Sequence, residues 1–306
     1  MRYPETDEAC LARFVKILQA STLAPRTIAF YREEAHAVVK LLRSEGLNTL
    51  PYKITETDVR RFLDTMQSHN LTVSTRKGYM SSLKKYCRAF NNDVVSRVDY
   101  AFPHDTRPNV DWLTLTEARD LLRCKKTWLQ NVVIHLELCL GLRRVEVVRM
   151  RTTDINSEEG IITVRGKGSQ GGKPRCIPFG IDTDTVIRQT LEARSNMIRE
   201  ARKRFPVTTV VPDNLILWMK AGRLHAYSEE GYGLDKAVCE PLSRDLGFRF
   251  SNHTLRRTFG RALYRAGVEV ATIAKILGHE STEVTLRYIG VDLDDMRGAM
   301  SRGLYQ

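Results

Sequence analysis

Two short β-type runs, "IITV" at 161–164 and "RCIPF" at 175–179, flank the glycine-rich stretch "GKGSQGG". They interrupt a chain whose apolar residues otherwise recur mainly at helical spacing. Such runs joined through glycines predict a single β-hairpin. The fold class this implies is mainly α: a helical N-terminal bundle, then a mostly helical α+β domain with a small antiparallel sheet.

Residues 1–90 carry the helical pattern openly. In "TLAPRTIAFYREEAHAVVKLLRSEG", Ile28, Tyr31, Val38, Leu41 and Leu42 share one face, and Gly46 is a natural stop. In "ITETDVRRFLDTMQSHN", Thr55 and Asp58 form a start signal ahead of Val59, Phe62, Leu63 and Met66. "STRKGYMSSLKKYCRAF" places Tyr79, Leu83, Tyr86 and Phe90 in the same way. Residues 91–112 break the pattern with prolines, asparagines and mixed polarity, the composition of a connector. The expected organisation is a helical domain over 1–95, a linker over 96–112 and a second domain over 113–306.

In the second domain, Thr114 and Glu117 have capping-box spacing. "TWLQNVVIHLELCLGL" is apolar nearly all round and predicts a buried helix. "TVIRQTLEARSNMIREARKRF" reads as a basic helix. Residues 206–250 have no clear period and receive no assignment. Helical spacing then resumes, with turns at Gly267 and Gly278.

Lysines and arginines number 48 against 36 acids, a formal charge of +12. That excess favours a polyanionic partner, above all nucleic acid. No apolar run is long enough to span a membrane. "MRYPETDEAC" has no apolar signal core, so the expected location is the cytoplasm. The six cysteines lie far apart without a C-x-x-C pair, which suits reduced thiols and neither a disulfide frame nor a zinc site.

The residues that carry chemistry gather in 251–290, "SNHTLRRTFGRALYRAGVEVATIAKILGHESTEVTLRYIG". His253 and Arg256, three apart, project from neighbouring positions on one helix face. "TIAKILGH" predicts a helix that stops at Gly278 and leaves His279 on the turn. Ser281 can cap a further short helix, with Tyr288 near its end. An arginine fork fits phosphate oxygens and stays charged. A phenol attacks only when cations or a base favour its phenolate. Arginine, histidine and tyrosine without a carboxylate cluster fit metal-free phosphodiester cleavage, the cations stabilising the five-coordinate phosphorus.

"HTLRRTFG", "ILGHES" and "TLRYIG" resemble the motifs of the tyrosine recombinases, the phage integrase and Xer-type family. "GLRRVEVVRM" is similar to that family's G-L-R-x-x-E-L motif, and "VRGKGSQGGKPRCIPFG" to its hairpin. "PRTIAFYREEAHAVVKLL" and "STRKGYMSSLKKYCRAF" are similar to its N-terminal core-binding domain. The resemblance implies six catalytic residues: Arg143, Lys167, His253, Arg256, His279 and Tyr288, with Glu146 in support. Tyr288 would form a 3′-phosphotyrosyl link and free a 5′-hydroxyl. Arg143 and Arg256 would hold the non-bridging oxygens, and Lys167 would protonate the leaving oxygen. His253 would be the general acid–base, and His279 would bond the phosphate. No metal or other cofactor is implied. Double-stranded DNA is the implied partner, bound by a homo-oligomer, a tetramer on paired sites. Arg76, Lys77, Lys84 and Lys85 are the implied DNA contacts of the N-terminal domain. Three departures stand out. Arg257 replaces a frequent histidine, Gly290 replaces another, and a lengthened hairpin turn makes Lys173 an alternative to Lys167.

Most lone histidines and tyrosines are structural, and His36, His69, His104, His135 and His225 receive no role. Two other functions fit a basic helical chain. A type IB topoisomerase-like enzyme would relax supercoils without exchanging strands, and a catalytically inactive DNA-binding protein would form no covalent adduct.

Overall fold

The computed structural model describes residues 3–23, 25–103, 111–166 and 174–290. Its contacts divide the chain into two units, Met1–Arg107 and Pro108–Gln306.

The first unit is helical among the described residues. Its elements are α1 (Asp7–Gln19), α2 (Pro25–Ser44), α3 (Glu56–Ser68), α4 (Val73–Arg88) and α5 (Val94–Arg97). Short-range chemistry sets most starts. Thr6, Thr55 and Thr72 accept the backbone N–H three residues on, and Asp58 returns a bond to the Thr55 N–H at 2.9 Å. Proline opens α2, where its missing N–H costs nothing. The apolar faces meet in two clusters, one around Val38, Val59, Phe62, Met66 and Leu83, the other around Phe14, Tyr86 and Phe90. Arg43 ties α2 back to α1 through both carboxylate oxygens of Asp7.

The first residues of the expected linker pack with the first unit. Val94, Val95 and Val98 are buried in the first unit's core, and Tyr100 and Phe102 pack against it. Its polar residues face outward while an i, i+1, i+4 valine set supplies one more apolar face, so the packed unit runs past residue 95.

In the second unit, α6 (Leu115–Arg123) starts on the Thr114–Glu117 box. Then α7 (Trp128–Ile134) runs into a π-helical turn, His135–Cys139, and α8 (Arg144–Arg149) follows. The apolar segment is buried as expected: Val132, Val133, Ile134 and Leu136 have no exposed surface. A three-stranded antiparallel sheet comes next, β1 (Ile155–Asn156), β2 (Ile161–Arg165) and β3 (Pro174–Pro178), in the order β1-β2-β3. Ile162 pairs with Ile177 and Val164 with Arg175, so one face of the hairpin enters the core.

Helix α9 (Ile181–Arg204) leads to a second hairpin, β4 (Leu217–Lys220) with β5 (Arg223–Ala226). Its two-residue turn uses Ala221 at φ +50° and Gly222 at φ +80°. A primed turn normally advertises itself with Asn-Gly or Asp-Gly, and alanine hides it. The helices α10 (Gly233–Ala237), α11 (Cys239–Leu246), α12 (Asn252–Arg265), α13 (Val270–Leu277) and α14 (Thr282–Ile289) complete the described chain. The last three meet around Ile273, Leu277 and Ile289. No helix among the described residues is long and apolar enough to cross a membrane.

Candidate active site

Helix α13 ends because Gly278 takes the left-handed conformation, φ +64° and ψ +48°. A helix end leaves carbonyls without intrahelical partners. Three arginines from three other elements take the last of them. Arg175 of β3 donates Nε–H to Ile276 O at 2.8 Å. Arg256 of α12 donates from Nη2 to Leu277 O. Arg143, at the start of α8, donates from Nη2 to Gly278 O at 3.0 Å. The negative pole of the helix suits this gathering of cations.

Glu146 supplies the anionic partner, and its side chain is fully buried. Oε1 accepts from Arg143 Nη1 at 2.8 Å and Arg175 Nη1 at 2.9 Å. Oε2 accepts from the Arg143 backbone N–H at 2.7 Å and Arg175 Nη2 at 2.9 Å. Arg256 Nη1 stands 3.6 Å from Oε2. Burial alone would push this carboxyl up, but the arginines hold it below the usual carboxylate range. One carboxylate against three guanidinium groups leaves the cluster net positive, a setting for an anionic group.

Arg256 is only 1% exposed. It also donates from Nη1 to Gly141 O at 2.6 Å. Gly141 sits at φ +67°, and a Cβ there would run into the Phe259 ring. The glycine of "GLRR" therefore permits the close approach that gives Arg256 this carbonyl. Burial, then the charge of Arg143, lowers Arg256 to about 10, so it stays protonated at neutral pH.

His279 follows the arginine-capped end directly. Its Nε2 faces Arg256 Nη2 at 3.2 Å, and its Nδ1 faces Thr285 Oγ1 at 2.9 Å. Burial and then the charge of Arg256 bring the imidazole down to about 4. Tyr288 projects from α14, which begins at Ser281 and whose far end is held by a bond from Arg261 to Gly290 O. Its ring packs edge-on against His279, centroids 5.0 Å apart. The guanidinium carbons of Arg256 and Arg257 lie 5.9 and 5.5 Å from its ring centroid. The hydroxyl is buried and meets no hydrogen-bond partner of good geometry among the described residues. Burial raises the phenol above its ordinary value, against the opposing charges of Arg256 and Arg257.

The structure thus brings together Arg143, Glu146, Arg256, His279 and Tyr288. His253 is exposed on the first turn of α12, one turn before Arg256, and takes part in none of the bonds above. Lys167 and its alternative Lys173 lie outside the described residues, as does Tyr305. In the first unit, the four candidate DNA contacts share α4. Lys77 is exposed, while Arg76 lies 5.9 Å from the Phe102 ring centroid and Lys85 Nζ lies 4.1 Å from that of Tyr31. Lys84 is half-buried.

Two members of the cluster were not among the expected residues. Arg257 appeared only as a departure from a motif, yet it stands over the tyrosine ring. Arg175 carries a sequence signal: it alternates with Ile177 on the core-facing side of β3, where an apolar residue is the norm. Among the described residues no three His, Cys, Asp or Glu side chains cluster as metal ligands.

The model of the phage integrase family matches residues 111–294, more than half of the chain. The chain is 25% identical to the tyrosine recombinase XerC of Oceanobacillus iheyensis, over 95% of this chain and 94% of that protein. It is 25% identical to the tyrosine recombinase XerA of Pyrococcus furiosus, over 99% and 96%. Two solved structures share the fold. One is the Tn1549 transposon integrase in complex with transposon right end DNA, with a TM-score of 0.66 and 18% identity over 96% of this chain and 99% of that one. The other is a lambda integrase dimer bound to a COC′ core site, with a TM-score of 0.67 and 18% identity over 98% and 79%.

Proposed function

The chain belongs to the phage integrase family, and on that premise we propose that the cluster around Arg256 cuts and rejoins DNA through Tyr288. The protein is a tyrosine-type site-specific recombinase, as its full-length relatives are. One observation carries the assignment of its site: the Tyr288 phenol is buried beside the Arg256 and Arg257 guanidinium groups and the His279 imidazole, at the helix end that Arg256 itself caps. A phenol so placed has its counter-charges built in.

Tyr288 attacks the scissile phosphate. Its oxygen bonds to phosphorus, the bond to the 5′ oxygen breaks, and the phenol proton leaves to a base. Arg143 and Arg256 neutralise the non-bridging oxygens as the fifth bond forms. His253, exposed one turn before Arg256, is the general acid–base, and Lys167 protonates the leaving 5′ oxygen. The 5′-hydroxyl of a partner strand then reverses the step. One phosphoester replaces another, so no nucleotide is consumed.

Substrate entry requires a rearrangement. Arg256 is almost wholly covered, and the Tyr288 hydroxyl is buried. Both must meet the phosphate, so the Tyr288 ring has to leave its resting contact.

The XerC, XerA and integrase relatives, and the DNA complexes among the structural neighbours, support double-stranded DNA as the partner and an oligomer as the working form. We assign a tetramer on paired sites, with Arg76, Lys77, Lys84 and Lys85 contacting DNA from the first unit. The test is strand exchange. Two labelled duplexes carrying the site, incubated with the protein, should yield recombinant strands and a covalent protein–DNA adduct. Relaxation of supercoils without exchange would make it a topoisomerase-like enzyme instead. Binding without an adduct would make it an inactive binder.

A further inference from the structure

Helix α14 has eight residues, and Tyr288 stands on its last turn. A helix that short is marginal without outside support, and its final carbonyls have no partner within it. Ser281 caps the first turn. At the other end Ile289 is fully buried beside Ile273 and Leu277, and the Gly290 carbonyl accepts from Nη1 of Arg261. Helix α12, which carries Arg261, runs directly against this turn: a Cβ on Gly260 would stand 4.0 Å from both Ile289 Cγ1 and Tyr288 Cδ1.

Arg261 is 3% exposed, and a buried guanidinium is costly unless its donors and its charge are used. Its central carbon lies 4.6 Å from the centroid of the Trp112 ring. The negative face of the indole attracts the flat cation and leaves the in-plane N–H groups for the carbonyl. That ring is itself held, because residues 111–113 run along α12. The Leu113 N–H donates to Thr258 Oγ1 at 2.9 Å, and Thr254 Oγ1 donates to Asp111 Oδ2 at 3.5 Å. Thr254, Thr258 and Arg261 recur at helical spacing and form one stripe on α12. The stripe fixes residues 111–113, and through Arg261 it reaches the end of α14. Arg261 lies just past the motif "HTLRRTFG", which ends at Gly260.

We propose that Arg261 is a positioning residue for the nucleophile: braced on the Trp112 ring, it holds the Gly290 carbonyl and so fixes the turn of α14 that carries Tyr288. This inference rests on the recombinase reading above. Arg261 need not touch DNA. It acts through the main chain, from which the Tyr288 side chain turns toward the phosphate about its own single bonds. A displacement of about 1 Å at an attacking atom is enough to slow a reaction on the order of a hundredfold. A planar fork makes such a brace rigid in a way that a flexible ammonium does not.

Three substitutions test it. Arg261→Met removes the donors and keeps an apolar stem, Arg261→Lys keeps one ammonium, and Trp112→Leu removes the ring beneath the guanidinium. Single-turnover adduct formation on a nicked suicide substrate is measured with DNA affinity and, without DNA, amide hydrogen exchange. Arg261→Met should form the adduct roughly tenfold to a hundredfold more slowly, at unchanged affinity. Arg261→Lys should lose less, since it can still donate to Gly290 O. Trp112→Leu should lose part of the rate, and adding it to Arg261→Met should lose little more, because the two side chains act as one unit. Amides of residues 286–290 should exchange faster in Arg261→Met while those of α13 keep their wild-type rates. If the methionine variant fails to fold, Arg261→Lys and Trp112→Leu carry the same measurements. Fully additive losses, or exchange that quickens equally in α13 and α14, would overturn the proposal, because Arg261 would then support only the fold. A wild type that forms no adduct refutes the recombinase reading and this role with it. A reactive wild type beside an equally reactive Arg261→Met variant overturns the role alone.

Discussion

Arg256 Nη2 lies 3.2 Å from Nε2 of His279, and this contact determines which ring nitrogen carries the proton. A guanidinium only donates, so Nε2 accepts and the hydrogen resides on Nδ1, 2.9 Å from Thr285 Oγ1. Thr285 in turn passes its hydroxyl hydrogen to Ser281 O at 3.4 Å. The imidazole is held at about 4 by burial and the arginines, so it is neutral at physiological pH. In the proposed mechanism a phosphate oxygen that enters here takes the Arg256 N–H. Only a change of tautomer lets Nε2 donate to it as well.

Tyr288→Phe should abolish the covalent adduct while leaving the fold intact. The hydroxyl is buried and makes no hydrogen bond of good geometry among the described residues, so its removal breaks nothing that holds α14. Unfolding free energy should stay within about 0.5 kcal/mol of wild type, or rise, because an unsatisfied buried hydroxyl is itself a cost. Thermal melts and a nicked suicide substrate check the two halves. An adduct that persists in the variant, or one mapped to Tyr305, would remove Tyr288 as the nucleophile.

Arg256→Ala should slow cleavage by something on the order of a hundredfold or more, with DNA affinity little changed. In the proposed mechanism it meets one phosphate among many. The same change strips donors from Gly141 O and Leu277 O, so stability should fall by roughly 1–3 kcal/mol. Arg256→Lys should not restore the rate, since one ammonium cannot span both carbonyls and His279. Single-turnover kinetics that match wild type would refute the assignment.

DNA binding should weaken steeply with salt, and cleavage should survive EDTA. Each neutralised phosphate contributes about −0.9 to the slope of log affinity against log salt. Lys77 is exposed, whereas Lys85 and Arg76 lie against aromatic rings. Lys77→Ala should therefore reduce the slope by roughly one contact's share without altering unfolding. A slope identical to wild type would take Lys77 off the interface.

Two buried groups should give opposite pH dependences of stability. His279 is lowered from its usual 6.5 to about 4, so the unfolded chain binds the extra proton first as pH falls. Its contribution is complete above pH 6.5 and is lost as pH drops toward 4. The loss is at most about 3 kcal/mol, less because the ring is only half-buried. Glu137, in the π-helical turn, is fully buried, neither of its oxygens has a hydrogen-bond partner among the described residues, and burial, then Asp235, raises it well above the carboxylate range. There the unfolded chain releases its proton first, so stability falls as pH rises above about 4.5. Glu137→Leu should remove that second slope and stabilise the protein at pH 7 by roughly 1–3 kcal/mol. His279→Gln should flatten the acid limb. Denaturant titrations across pH 4–8 measure both, and unchanged slopes in either variant refute that half.

Helix starts and stops were legible in the sequence because the groups that make them lie within a few residues of one another. Thr55 with Asp58, Thr114 with Glu117, and Ser281 each cap the helix their spacing predicted, and Gly278 ends α13 as expected. The motif residues were legible too, since each short motif carries its own spacing. The β4–β5 hairpin was not, because alanine stands where a turn signal is usual. Nor was the packed end of the first unit, where valines sit among polar residues.

Amino-acid order by itself determined the helical elements, the lone glycine-rich hairpin, the excess of positive charge and the identity of the arginine, histidine and tyrosine motifs, because all of these depend on neighbours along the chain. Tertiary structure alone decided that Arg143, Arg175 and Arg256 cap consecutive carbonyls of α13. Arg175 is 101 residues from Ile276 and Arg143 is 135 from Gly278, separations at which no local spacing carries information. It also decided that one carboxylate, Glu146, serves the three guanidinium groups. Like charges gather only where a buried anion and a helix end have already been packed to receive them, and only the folded chain creates that place.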